Sequence, residues 1–285
     1  MIVEERVACL ARAVSRLGLE VFLRVEEHDP QFKAVSTLVL GLGYQCKAAL
    51  LAVGNALISY RLSRPGEEYW EEFSRAALRQ YSENPDLPPT VFFEEFLQSS
   101  RGNRIGVEAK LRRIRRMSAA VTPRDVCMAC SNLEDLWRRL SAVMGARPSA
   151  KTIVFAVKMA YYACRAMGLN PTIPMHIDIP VDSRISMLAA TSGIVNHMPW
   201  RTVWRIVYEK EPEIARQAWR LVADASGIPP LHLDAVLWLL ARSAREAGYR
   251  REKAISLAYN YLSMYSGMRG EGLMNLCREL FFRMQ

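Results

Sequence analysis

Apolar residues recur along most of this chain at intervals of three and four, and few segments alternate, so the chain reads as almost entirely helical. Val7, Leu10, Ala11, Val14 and Leu17 form one stripe. Ala49, Leu50, Val53, Leu57 and Tyr60 form another, in a helix from about Gln45 to Leu62. The same spacing predicts helices over about 66–81, 89–99, 104–118, 132–144, 149–167, 182–192, 199–209, 211–226, 230–246, 250–264 and 270–283. Asn132 with Asp135, Ser149, Asp182 and Pro230 open helices, and Gly18, Gly145, Gly168, Gly193 and Gly248 follow them. Three stretches are irregular: the proline-rich loop from Asn84 to Pro89, the linker Ser99 to Asn103, and Gly168 to Val181. In the last, Pro171, Pro174 and Pro180 impose an extended, stiff path. Met175 to Ile179 alternates as a short strand would, but one strand makes no sheet. The expected fold class is all-α. There is no internal repeat and no low-complexity segment.

At 285 residues and 51% hydrophobic, the chain can bury a sizeable core in one large or two closely packed domains. No apolar run reaches the roughly 20 residues that span a bilayer, and the N-terminus carries Glu4 and Glu5 where a signal peptide needs basic residues. A soluble, intracellular (cytoplasmic) protein with no membrane partner is expected. The six cysteines, Cys9, Cys46, Cys127, Cys130, Cys164 and Cys277, suggest free thiols rather than a disulfide framework. Cys127 and Cys130 have zinc-knuckle spacing, yet two thiolates alone do not close a tetrahedral site. There is no four-cysteine iron–sulfur loop near the C-terminus. His28, His176, His197 and His232 form no metal-spaced pair and read as structural or surface residues. No metal and no cofactor is expected. The net charge of +9 is a statement about partners, and nucleic acid is the commonest partner of a basic protein.

The chemistry concentrates at two predicted helix starts. After Leu140 to Met144, Gly145 supplies a left-handed helix end, Ala146-Arg147-Pro148 turns the chain, and Ser149 caps the next helix. This helix–hairpin–helix presents backbone N–H groups toward a phosphate. Lys151 then lies in the first turn, where the helix dipole and an apolar cleft would favour a free, nucleophilic amine. Phe155 and Lys158 share its face at i+4 and i+7. The second start is Asp182, after Ile179-Pro180-Val181. Its carboxylate can cap the helix, or it can also serve as a fixed negative charge beside a developing oxocarbenium ion. The residues alone leave both roles open.

With these residues placed, the chain resembles the archaeal 8-oxoguanine DNA glycosylases, a divergent branch of the helix–hairpin–helix DNA glycosylases. The resemblance covers about residues 18–240. It rests on Asp29-Pro-Gln31, Asn55 to Leu62, Gly66 to Trp70, Ile105 to Ala109, Asn132 to Leu136, Gly145-Ala-Arg147, Lys151 to Phe155, Ile179 to Asp182 and Gly227 to Asp234, in that order. The hairpin Met144-Gly-Ala-Arg-Pro-Ser-Ala150 departs from the usual Leu-Pro-Gly-Val-Gly type, and the segment after about Tyr249 matches nothing in the resemblance. The resemblance implies helical subdomains with the active site in a cleft: residues 1–118, a hairpin part at 119–195, and 196–285 packing with the first. It places a Schiff-base lysine on Lys151 and the catalytic aspartate on Asp182. It places an oxidised-guanine pocket on Gln31, Ser59, Trp70, Phe155, Pro180, Asp234 and Trp238.

Those residue types suit the task. A base must leave the stack to be reached, and aromatic faces such as Phe155 and Trp238 offset the cost, at roughly 1–3 kcal/mol per stacked base. Asp234, four residues before Trp238, shares its helix face and can accept from the N1–H and N2–H groups of guanine. Backbone contacts would come from Arg147, Lys158, Arg184 and part of the run Arg101, Arg104, Lys110, Arg112, Arg113, Arg115 and Arg116. The expected function is excision of 8-oxoguanine from damaged DNA through a lysine Schiff base, with strand cleavage, by a monomer. The alternatives are a glycosylase of the same scaffold for another damaged base, and a non-catalytic helical DNA-binding protein.

Overall fold

The computed structural model describes residues 1–43, 46–196 and 198–285. Among these, the first nine helices in chain order are α1 (Glu4–Glu26), α2 (Pro30–Gly41), α3 (Cys46–Ile58), α4 (Gly66–Glu83), α5 (Pro89–Ser99), α6 (Val107–Ala120), α7 (Pro123–Met128), α8 (Leu133–Met144) and α9 (Lys151–Ala166). Then follow α10 (Ser183–Thr191), α11 (Trp200–Glu209), α12 (Pro212–Ser226), α13 (Pro230–Glu246), α14 (Arg251–Ser266) and α15 (Glu271–Leu280). The only bridge pairing among the described residues joins Ile2 to Val195. No helix among them is long and apolar enough to cross a membrane. The chain is all-α, as expected.

The helices gather into two compact units, residues 1–29 with 175–285, and residues 30–174. In the first, α1 lays the predicted stripe of Val7, Leu10, Ala11 and Val14 into a core completed by α10 to α15. Gly18 interrupts α1 with a left-handed φ of 70°, which lets both halves keep their apolar faces inward. The alternating segment Met175–Ile179 forms no strand, in keeping with its lack of a partner. Arg220 instead gathers that segment, donating to the carbonyls of Met175 and His176 and pairing with Asp178.

In the second unit, α3 and α9 are buried on nearly all sides and pack on one another. Gly54 permits a close approach: a Cβ there would lie 2.6 Å from the Phe93 ring. An aromatic cluster of Trp70, Phe73, Phe92, Phe93 and Phe96 fills the space beside α4 and α5. The second unit also corrects the cysteine reading. Cys46 is bonded to Cys127 and Cys130 to Cys164, which ties the short α7 to α3 and the turn after it to α9, with Cα–Cα distances of 5.4 and 5.5 Å. Only Cys9 and Cys277 are free thiols. An even count at uneven spacings carries no pairing information, so the bonds were illegible before the helices were placed.

Two helices were absent from the periodic pattern. α7 is too short for one; Thr122 and Asp125 define it through a reciprocal capping box. α2 begins at Pro30 and buries Ala34, Val35, Leu38 and Val39. The helix expected over Gln45 to Leu62 is α3, whose predicted first residue lies outside the described residues. It stops at Ile58, and Arg61, three residues on, takes a left-handed φ of 49°.

Candidate active site

The hairpin and the lysine belong to the second unit. Asn132 caps α8, accepting from the Glu134 N–H at 3.1 Å. Gly145 ends it with a φ of 56°, and its N–H reaches the carbonyls of Ser141 and Ala142. The turn is then held by two side chains. The Ser141 hydroxyl donates to the Ala146 carbonyl at 2.6 Å, and the Trp137 indole donates to the Pro148 carbonyl at 2.8 Å. Ser149 does not cap α9. The N-cap is Ala150, whose carbonyl accepts from Ile153 and Val154. This shift makes Lys151 the first residue of the helix. Its side chain is exposed rather than set in the expected apolar cleft, while Ile153, Val154 and Val157 are fully buried.

Phe155, one turn on from Lys151, meets Trp70 edge to face at 5.9 Å. Trp70 is 1% exposed and also packs against Phe73, so its ring is a fixed wall. Ser59 is half-buried, and its hydroxyl donates to the Asn55 carbonyl at 2.7 Å, leaving its oxygen as an acceptor. Gln31 is the second residue of α2 and half-buried. This unit therefore brings Trp70 and Phe155 into contact and places Lys151 one turn from the latter.

Behind Ser59 lies a buried polar chain that the sequence pattern did not single out. Tyr69 donates to the Asn55 side chain, Asn103 donates to the Tyr69 oxygen at 2.9 Å, and the Lys110 amine donates to Asn103. Burial pushes the Tyr69 phenol well above its ordinary pKa, so it stays a donor. Lys110 has no exposed surface and lies 4.7 Å from the Tyr60 ring centroid. Burial, and then the charge of Arg61, lower its pKa to about 8.

The aspartates belong to the first unit. Pro180 is buried in the extended approach to α10. Asp182 caps that helix as expected: its Oδ1 accepts from the N–H groups of Arg184 at 2.8 Å and Ile185 at 3.0 Å. The Trp204 indole donates to the Ser183 carbonyl at 2.8 Å, which fixes the same turn from α11. On α13, Asp234 is 6% exposed and Trp238 is half-buried, one turn apart on a common face. The Arg184 guanidinium stacks on Trp238 at 3.7 Å. The first turn of α13 is braced by His232, whose Nδ1 lies 2.7 Å from the fully buried Glu26 carboxylate. His28 stacks on Tyr265 at 4.8 Å, so α14 supports the end of α1. These placements agree with structural roles for His28 and His232. His176 is exposed, and His197 lies outside the described residues.

The expected phosphate contacts divide between surface and interior positions. Arg147 is exposed in the hairpin. Lys158 is 1% exposed, against Tyr162, so it lies in the interior and not on the surface. In the basic run Lys110 is buried, Arg113 donates to Thr152 at 2.8 Å and Arg115 pairs with Glu94, which leaves Arg101, Arg104, Arg112 and Arg116 as exposed cations. Among the described residues, no three of His, Cys, Asp and Glu are grouped to hold a metal ion.

Comparison with known proteins shows the family of the chain. The family model described as AGOG, N-glycosylase/DNA lyase, matches residues 11–268. An N-glycosylase/DNA lyase of Pyrobaculum aerophilum is 36% identical over 247 residues, covering 85% of this chain and 89% of the relative. One from Aeropyrum pernix is 38% identical over 249 residues, covering 85% and 84%. The crystal structure of an 8-oxoguanine DNA glycosylase from Pyrobaculum aerophilum in complex with 8-oxoguanosine superposes with a TM-score of 0.72 at 34% identity, covering 90% of this chain and 96% of that one. The family model and these relatives match the chain along nearly its whole length, and the chain belongs to the AGOG family of N-glycosylase/DNA lyases.

Proposed function

We propose that this protein excises 8-oxoguanine from damaged DNA and then cleaves the strand. The observation that carries the reading is the spacing on α9 and α13: Lys151 stands one turn from Phe155, and Asp234 one turn from Trp238. Each pair joins a reactive or hydrogen-bonding group to an aromatic face. The similar Pyrobaculum protein, crystallised with 8-oxoguanosine, supports the choice of base.

The damaged nucleotide leaves the duplex, and its base stacks on Phe155 and Trp238. Asp234 accepts from the N1–H and N2–H groups of the guanine ring, Gln31, Ser59 and the Trp70 indole take its other edges, and Pro180 is a further pocket residue. The neutral Lys151 amine attacks C1′ as the bond from C1′ to N9 breaks, and the proton that the attacking nitrogen loses goes to the departing base. Asp182 stabilises the positive charge that develops on the sugar. Opening of the sugar ring gives the imine. Loss of a C2′ proton then expels the 3′ phosphate, and water releases the lysine. Arg147, in the hairpin-bearing segment 119–195, and Arg184 neutralise phosphates. Single-turnover excision by Asp182→Asn tests the division of labour. DNA binding is retained and the excision rate falls at least about 100-fold, as for loss of a fixed transition-state charge. An unchanged rate reduces Asp182 to a helix cap.

A further inference from the structure

Within the first unit, a cavity of about 260 Å³ opens beside the helix that Asp182 caps. Its lining includes Ser183 and Arg184 of α10, Trp204 of α11, Arg245 of α13, and Tyr249. No carboxylate lines it, and its floor is Met187 and Ala241. Two guanidiniums, a hydroxyl and two aromatic rings around one small hollow match a ligand that is anionic at one end and flat and apolar at the other.

The rings are held in place before any ligand arrives. Trp204 is tied to the Ser183 carbonyl and stacks on Trp200 at 6.2 Å and 15°. Tyr249 lies 6.0 Å from Trp204 and 5.8 Å from Trp200. Arg201 covers the outer side of this cluster, 4.5 Å from the Trp200 ring and 4.9 Å from the Tyr249 ring. Tyr249 also adopts a left-handed φ of 60°, a conformation that a tyrosine rarely takes and that glycine accepts without strain. The backbone thus holds an unfavourable shape where it presents a ring to the hollow.

Position along α13 relates the hollow to the base site. Asp234, Trp238, Ala241 and Arg245 follow one another at intervals of four, three and four, on one stripe of the helix. At about 1.5 Å per residue, Arg245 stands roughly 10 Å beyond Trp238. That is about three stacked nucleotide steps at roughly 3.4 Å each, and fewer where a strand is splayed around an extruded base. Arg184 links the two places, since it lines the hollow and stacks on Trp238.

We propose that this hollow is a nucleotide subsite, which takes a phosphate on Arg184 and Arg245 and the flat face of a neighbouring base or sugar on Trp204 and Tyr249. The ligand is DNA of the strand that carries the lesion, next to the damaged residue. The proposal rests on the base site described above, but its test is separable from it.

The probe is a fluorescent duplex carrying a tetrahydrofuran abasic analogue, titrated at several salt concentrations, with free 8-oxoguanosine titrated in parallel. Tyr249→Gly removes the ring at a backbone position that glycine favours, and Arg245→Gln removes a charge at an exposed helix end. Tyr249→Gly weakens duplex binding about tenfold, in the range for one lost stacking partner. Arg245→Gln weakens it and reduces the slope of log affinity on log salt by about 0.9, the value for one phosphate contact. Both bind free 8-oxoguanosine as the wild type does. Wild-type duplex affinity in either variant overturns the subsite. So does a changed salt slope with a neutral Tyr249→Gly, which marks a phosphate patch without a nucleotide face. So does an equal loss of nucleoside and duplex binding, which marks disturbance of the base site. If the wild type fails to bind or excise 8-oxoguanine while both variants lose duplex affinity, the substrate assignment fails and the subsite stands.

Discussion

The guanidinium of Arg184 lies 3.7 Å from the centroid of the Trp238 indole, so one ring face is already occupied by a cation two residues beyond the Asp182 cap. The stack couples the helix that orients Asp182 to the aromatic group assigned to the base.

Such a contact contributes about 0.5–2 kcal/mol, depending on how far it is desolvated. Arg184→Met therefore loosens Trp238 and raises KM for excision from 8-oxoguanine duplexes by roughly 2- to 30-fold. The single-turnover rate at saturation changes less, because the Asp182 cap uses the backbone N–H of residue 184 and not its side chain. Steady-state and single-turnover kinetics on one duplex separate the two effects. A fall in rate with unchanged KM would assign Arg184 to the chemical step.

Lys110 makes stability depend on alkaline pH. Its pKa in the fold is about 8, below the ordinary 10.5, chiefly through burial. Below pH 8 both folded and unfolded chains carry the charge, and the fold bears the burden of burying it. Between about 8 and 10.5 the unfolded chain binds the proton more tightly, so stability rises with pH across this window. Urea unfolding at pH 8, 9 and 10 measures the slope. Lys110→Met flattens the part that Lys110 contributes, and an identical slope in the variant would show that Lys110 does not titrate there.

The two disulfides close chain segments of 81 and 34 residues around α7. Loop-closure entropy assigns each about 4 kcal/mol, with measured contributions commonly 2–4 kcal/mol. Thermal unfolding with and without dithiothreitol therefore shows a lower midpoint under reduction, and Cys130→Ala with Cys164→Ala reproduces part of the fall. An unchanged midpoint, with thiol titration confirming reduction, would mean that packing of α3 on α9 alone holds α7.

Much of the fold was legible because amphipathic helices declare themselves through spacing. The stripe from Val7 to Val14, the left-handed end at Gly145 and the Asp182 cap each follow from local physics, and each is present. What escaped depends on distant partners. The disulfides, the buried chain from Lys110 to Asn55 and the Glu26–His232 contact join residues whose separation along the chain carries no signal. Lys158 illustrates the converse. Its spacing places it on the Lys151 face, but α9 is buried nearly all round by its seventh residue, so helical phase alone does not tell a surface cation from an interior one. Ser149 missed its expected cap by one residue, a shift within the reach of boundary fraying. For the site, single residues such as Gln31 and Ser59 carry no local pattern, and only their place in an ordered set of motifs marks them.

The proposed chemistry rests on a covalent intermediate formed by the Lys151 amine. Borohydride reduction during reaction with a duplex containing 8-oxoguanine, followed by proteolysis and mass spectrometry, tests it directly. One DNA–protein adduct is expected on the peptide containing Lys151, absent from Lys151→Gln. An adduct of equal yield in Lys151→Gln, or one mapped to Lys110 or Lys158, would contradict it.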